Sequence, residues 1–258
     1  MKSMIRPRLI PILTIISDSV QKTTQFQNPV YVGDPLNSVT LFSQLNADEL
    51  IVLDISRAHG RPPMSQELVS RIIDHASLPI GFGGGLRNMD DVKFVFDCGY
   101  DKVIVRTLAT DFQTLTKIAN HFGSQALTVS LDIRYHPDGQ HWALIDRPEV
   151  TDGEVIDFVR NLVEAGVGEI IIQDVLREGT REGLRKSNLI NTLVEDLEIP
   201  VVLSGGCKSF TEAAEYIVDT HVHSIAGSQM FLYKQPRNAL LLNYPTSKAW
   251  ITSLSSGS

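Results

Sequence analysis

The chain has 258 residues, 43% of them hydrophobic, enough to bury a full core in one large domain or two small ones. Its net charge of −7 and the lack of any long Lys/Arg run exclude a nucleic-acid or anionic-membrane surface, so any phosphate it binds belongs in a local pocket. Cys98 and Cys207 lie far apart with no Cys or His at ligand spacing, which excludes a disulfide framework and a zinc site, requires no metal or organic cofactor, and fits a cytoplasmic address.

The opening MKSMIRPRLIPILTIIS has the basic start and apolar run of a signal peptide, but Arg8 and Pro11 interrupt it and no small-residue cleavage site follows. It reads as a first buried strand. Further apolar runs follow in order: LIVLDI (50–55), LPIGFG (78–83), KVIVR (102–106), LTVSLD (127–132), EIIIQD (169–174), PVVLSG (200–205) and HSIAGS (223–228). With RLIPILTI (8–15) they make eight, rich in Val, Ile and Leu as strands buried on both faces are. Between them DPLNSVTLFSQL, SQELVSRIIDHA, DDVKFVFDCG and DGEVIDFVRNLVEAG carry apolar residues at helical spacing. Eightfold strand–helix alternation predicts a (βα)8 TIM barrel, with a doubly wound open sheet as the alternative. One barrel domain over 1–251 is expected, with a flexible tail at 252–258, where LSSGS reads as frayed. No apolar stretch reaches membrane-spanning length.

An internal repeat supports two half-barrels, about 1–124 and 125–251. ELIVLDISRAHGR (49–61) aligns with EIIIQDVLREGTR (169–181) at an offset of 120, with Glu, Asp, Arg and a final Arg coincident. One residue further, PIGFGGGLRN aligns with PVVLSGGCKS and VIVRTLA with SIAGSQM. Gly84 and Gly85 thus match Gly205 and Gly206, and Arg106-Thr107 matches Gly227-Ser228. In a barrel these positions share the face after the strands, where active sites and phosphate sites are built. Glycine lets backbone N–H groups approach a phosphate, although glycine after a strand is also plain turn chemistry. Asp54, Asp132 and Asp174, at strand ends, are acid–base candidates, with a helix cap or loop anchor as the competing reading of each and an equal one for Asp174. The first and fifth strands are counterparts, which puts Thr14 where the other half has Asp132. A hydroxyl cannot take up a proton near neutral pH as a carboxylate does.

On these residues the chain resembles HisF, the cyclase subunit of imidazole glycerol phosphate synthase. RPRLIPIL, VGDPLNSV, DELIVLDI, FGGGLRN, GYDKVIV, SLDIR, EGT, VVLSGG and IAGSQMF run in the family's order along nearly the whole chain. The resemblance implies closure of an imidazole ring on a substrate with two phosphates, using ammonia that a HisH-type glutaminase delivers through the barrel. It places the family's acid–base pair on Thr14 and Asp132, a mobile-loop lysine on Lys22, a substrate-side acid on Asp54, and phosphate contacts on Gly84, Thr107, Gly179, Gly206, Gly227 and Ser228. Arg106 replaces an Asn, LREGT replaces DRDGT, and the family's Gly- and Ser-containing loop becomes LIDRPEVTDG (144–153).

On the opposite face the resemblance puts an ammonia gate on Arg8, Glu49, Lys102 and Glu169 and a glutaminase contact on Asp101. An ordinary ion-pair cluster closing the barrel bottom is the competing reading of those four charges. FQNPVYVGDPLNSV and ALLLNYP resemble the WbuZ-like paralogues found with surface-polysaccharide clusters. That implies an ammonia-conducting partner of a glutaminase and of a separate sugar-amidating ligase; a genuine cyclase is the alternative. A phosphorylated small-molecule ligand is expected, and Arg106 obstructing one cradle would make it a smaller one.

Overall fold

In a computed structural model, which describes residues 7–135, 142–144, 147–234 and 240–256, eight parallel strands close into a barrel. They are β1 (Arg8–Ile16), β2 (Leu50–Asp54), β3 (Ile80–Gly83), β4 (Lys102–Val105), β5 (Leu127–Tyr135), β6 (Glu169–Asp174), β7 (Val201–Ser204) and β8 (Ser224–Gly227). Each apolar run contains one of them. Closure comes from β8 pairing back onto β1, with Arg8 opposite Ser224 and Pro11 opposite Gly227.

Eight helices alternate with these strands: α1 (Pro35–Gln44), α2 (Gln66–Ile73), α3 (Met89–Asp97), α4 (Phe112–Phe122), α5 (Asp152–Glu164), α6 (Asn188–Asp196), α7 (Phe210–Thr220) and α8 (Ser247–Ser256). Their starts are written in the sequence. Asp34 caps α1 ahead of Pro35, Ser65 caps α2, Asn88 caps α3, and Thr151 with Glu154 forms a reciprocal capping box on α5. α8 runs to Ser256, into the stretch expected to form a flexible tail. Trp250, fully buried beneath it, anchors the helix by donating its indole N–H to the Pro7 carbonyl at 3.2 Å.

The core has two parts. One large cluster lies between strands and helices, and a small one, Ile10, Ile51, Ile104, Ile171, Val202 and Ala226, fills the barrel interior. Each fully buried side chain of Leu or Ile size contributes roughly 1.5–3 kcal/mol. β3 and β5 give this interior layer only Gly81 and Ser130 in register with Ile51 and Ile171.

The repeat is visible in equivalent backbone bonds. Ile55 N–H donates to the Ile15 carbonyl as Val175 N–H does to Ile133, and Leu50 to Pro79 as Ile170 does to Pro200. Thr14 and Asp132 therefore precede equivalent residues of the two halves. Gly84 and Gly205 also match: both adopt left-handed φ, and a Cβ would come within 1.9 Å of the Asp54 carbonyl oxygen and 2.4 Å of that of Asp174. Gly227 differs, for its nearest non-neighbouring atom would be Met230 Sδ at 3.8 Å. Gly84→Ala and Gly205→Ala are each expected to lose ~2–4 kcal/mol by overpacking and backbone strain, and Gly227→Ala under ~1 kcal/mol, measured by urea denaturation.

Three short antiparallel pairs decorate the barrel: Ser19–Thr24 with Gln27–Gly33, Trp142–Leu144 with Arg147–Val150, and Leu232–Lys234 with Leu240–Leu242. Lys22, expected in a loop, lies on the first of them, paired with Val30. Of the LIDRPEVTDG segment, residues 145–146 lie outside the described residues.

Candidate functional site

The face after the strands holds an open cavity of about 510 Å³ beside the N-terminal half. Gly84, Gly85, Arg106 and Thr107 line it, as do Asp54 and Asp132. Arg106 does not obstruct this cradle. Its Nε pairs with Asp132 Oδ2 at 2.5 Å, which draws the side chain toward β5.

The three acids have different employments. Asp54 accepts the backbone N–H groups of Ser56 at 2.9 Å and Met64 at 2.8 Å, and so organises the loop after β2. Asp174 accepts from Arg185 Nε at 2.8 Å and from the Arg177 N–H at 3.3 Å, while Arg185 stacks over Tyr135. Both are loop anchors. Asp132 alone faces the cavity with a side-chain partner. Burial pushes its carboxyl above the ordinary range and Arg106 only partly offsets this.

Thr14 is buried, 3% exposed, at the top of β1. It lines a narrow cleft with Lys22, Phe42 and Ser228. Thr14 lies two residues beyond Ile12 and opposite Leu53, and Asp132 two beyond Ser130 and opposite Gln173, so the two counterpart positions both face the barrel axis.

The C-terminal cradle is filled by the protein itself. Gly179, Gly205, Gly206, Gly227 and Ser228 surround a pocket with space for about 10 Å³, no more than a single water. Fully buried Glu178 sits in it, accepting the Ser228 hydroxyl at 2.9 Å and Gln173 Nε2 at 3.2 Å. Burial raises the Glu178 carboxyl, and these two bonds only moderate the rise. The hairpin of residues 19–33 closes the same side: Gln25 N–H donates to the Glu178 carbonyl at 2.7 Å, and Gly179 lies so close to Thr23 that a Cβ would meet its carbonyl oxygen at 2.1 Å.

At the opposite end the four expected charges form one ring. Arg8 pairs with Glu49 at 2.5 Å and with Glu169, and Lys102 Nζ lies 2.8 Å from Glu49 and 2.9 Å from Glu169. Arg8 Nε also donates to Ser224, and Thr128 donates to Glu169. Burial alone would raise the Glu169 carboxyl, but Lys102 and Arg8 outweigh it and hold it below the ordinary range; the same carboxylates raise the Arg8 guanidinium. Asp101, exposed beside the ring, accepts the Ile80 N–H at 2.8 Å.

The sequence reading did not single out Arg57, Arg87 and Arg134, which also line the open cavity, or Glu178. Glu178 had a signal in the departure LREGT. The arginines had none, since an exposed loop arginine looks the same whether or not a cavity lies under it.

Among the described residues no helix is long and apolar enough to cross a membrane, and no group of three or more His, Cys, Asp or Glu is placed to hold a metal. Residues 8–235 match the histidine biosynthesis protein family. A provisionally named imidazole glycerol phosphate synthase subunit HisF of Leptospira borgpetersenii is 31% identical over 94% of this chain and 96% of its own. A provisionally named subunit hisF2 of Pseudomonas aeruginosa is 30% identical over 94% and 97%, and the subunit HisF of Leptospira biflexa 31% over 87% and 89%. With an eight-stranded parallel barrel and a family match that runs from β1 through β8, the chain belongs to the histidine biosynthesis protein family, among relatives that carry the HisF name.

Proposed function

We propose that the chain is the barrel subunit of a glutamine amidotransferase. It docks a HisH-type glutaminase at the charged ring, passes ammonia through the barrel, and leaves amidation of a surface-polysaccharide sugar to a separate ligase. The observation that carries this reading is the Arg106–Asp132 pair, with the hydroxyl of Thr14 where the other half of the barrel has the acid. The one cavity-facing carboxylate without a structural duty is spent on a cation, and no second acid opposes it there.

The interior suits a neutral passenger. Ile10, Ile51, Ile104, Ile171, Val202 and Ala226 offer an ammonium ion no counter-charge, and desolvating a cation among them is costly, whereas uncharged ammonia crosses such a wall cheaply. Entry needs the ring to part, and Lys102 bridges Glu49 and Glu169 across it.

Mixing the purified chain with a HisH-type glutaminase from the same source and following glutamine hydrolysis tests the reading. At least tenfold stimulation is expected, in line with an ordinary coupling energy between sites. No stimulation by any such partner would sink it.

A second reading, a genuine cyclase in histidine biosynthesis, is favoured by the raised Asp132 carboxyl, which could act as a general acid. Rescue of a histidine auxotroph lacking its own cyclase would establish it.

A further inference from the structure

The two halves of the barrel repeat the same loop frame but fill it oppositely. At the position equivalent to Glu178 the first half has Ala58, and at the position equivalent to Gly227 it has Arg106. Ala58 leaves its cradle open and Glu178 fills its own. Each half therefore differs from the other by about one charge at each of two equivalent sites, and both differences favour anions on the N-terminal side.

Four guanidinium groups border the open cavity: Arg57, Arg87, Arg106 and Arg134. Against them stand Asp54, whose carboxylate is taken up by two backbone N–H groups, and Asp132, paired with Arg106. Among the described residues Arg57 and Arg87 have no ion-pair partner, and Arg134 makes no direct ion pair but acts on Asp132 at longer range. Arg57 and Arg87 come from the loops after β2 and β3, and Arg134 from the end of β5, so all three line one rim of the cavity. Guanidinium forks of this kind suit phosphate oxygens, and three converging on one region match charge concentrated in one place.

We propose that this cavity binds a diphosphate, free or esterified, through Arg57, Arg87 and Arg134, and does not take a ligand with phosphates at two distant ends. A bare diphosphate would leave much of 510 Å³ empty. Leu53, Ile55, Leu86 and Val175 on the remaining wall supply an apolar surface for an organic group. The proposal deepens the expected phosphorylated ligand of the same mouth and rests on that part of the functional reading alone. Binding is measured on the isolated chain, so its failure leaves the glutaminase experiment standing, and the reverse holds too.

Calorimetric titration of the chain with inorganic pyrophosphate, inorganic phosphate, ADP and 1,6-hexanediol bisphosphate tests it. One pyrophosphate or ADP per chain is expected, at least about tenfold tighter than phosphate or the separated bisphosphate, because a second set of charge-assisted bonds engages. Tighter ADP than pyrophosphate identifies an ester, and the converse a free diphosphate; both uphold the proposal. Arg57→Gln and Arg87→Gln should each weaken the diphosphate about tenfold, and the remote surface variant Lys186→Gln should not. Equal affinity for phosphate and pyrophosphate, a bisphosphate that binds more tightly than either diphosphate, or arginine variants that bind as well as the parent would overturn it.

Discussion

Glu169→Leu is expected to destabilise the barrel by about 3–5 kcal/mol, seen as a fall of roughly 10 °C in the thermal midpoint. The substitution strips Arg8 and Lys102 of one of the two carboxylates they share and leaves two cations, 21% and 12% exposed, facing Glu49 alone. It also deprives the buried Thr128 hydroxyl of its acceptor. Removing one member of a buried ion cluster costs more than the cluster contributes, because the surviving charges stay desolvated and lose their partners.

The complementary experiment separates packing from function. Arg8→Met, Glu49→Leu, Lys102→Met and Glu169→Leu combined should restore most of the lost stability, since apolar residues of similar volume commonly replace a buried ionic cluster at little or no cost. Glutaminase stimulation should nonetheless stay absent. Recovery of stimulation along with stability would reduce the ring to a structural plug and remove its role as a gate.

The pH dependence of the single variant follows from the sign of the shift. Glu169 sits below its ordinary value of 4.5 in the folded protein, so its contribution to stability is fully present above that value. It disappears as pH falls through the depressed folded value. The stability gap between the parent and Glu169→Leu should therefore be widest near neutrality and shrink below about pH 4. A gap that grows on acidification would mean that the carboxyl is protonated in the native ring.

How much of this was legible in the sequence depends on whether the causes are local. Each barrel strand is an apolar run of Val, Ile and Leu, and each early helix announces itself by a cap, Asp34-Pro35, Ser65, Asn88 or Thr151, because strand burial and capping are read from a few neighbouring residues. The hairpin of residues 19–33 was missed for an equally physical reason. Its turn uses left-handed φ at both Gln25 and Phe26, 53° and 58°, where Asn-Gly is the usual signal. Its conformation is imposed from outside, by the bonds of Gln25 to Glu178 and Leu176. The helix at the end of the chain was equally illegible, because small polar residues suggest fraying whereas Trp250 ties its first turns down through a contact 243 residues away in sequence.

The site divides in the same way. Alignment of the two halves found the matching glycines, since a duplicated frame carries its landmarks with it, and the resemblance picked out the four charges that pair at the barrel bottom. It could not tell which glycines serve the chain's own crossings, as Gly84 does against Asp54, or that one cradle is occupied by a side chain. Those facts depend on distances between loops that no spacing encodes.

Thr14→Asp combined with Arg106→Asn should raise the rate of imidazole ring closure from ammonium salt by about 10² or more over the parent, because a completed acid–base pair typically contributes 10²–10⁴. Arg106→Asn releases Asp132 from its 2.5 Å ion pair, and with that counter-charge gone only Arg134 still opposes the burial effect, so the carboxyl rises further and becomes a better proton donor. Asp at position 14 would share a cleft with Lys22, whose cation favours the ionised form needed in a base. Neither single variant should approach the double, since paired proton-transfer groups act as a unit. The gain should lie in kcat, while KM for a substrate with two separated phosphates stays high, because Glu178 still occupies the second cradle through Ser228. Robust ring closure by the parent chain, or a double variant no faster than the parent once its folding is verified, would show that proton transfer at these two positions does not limit ring closure in this barrel.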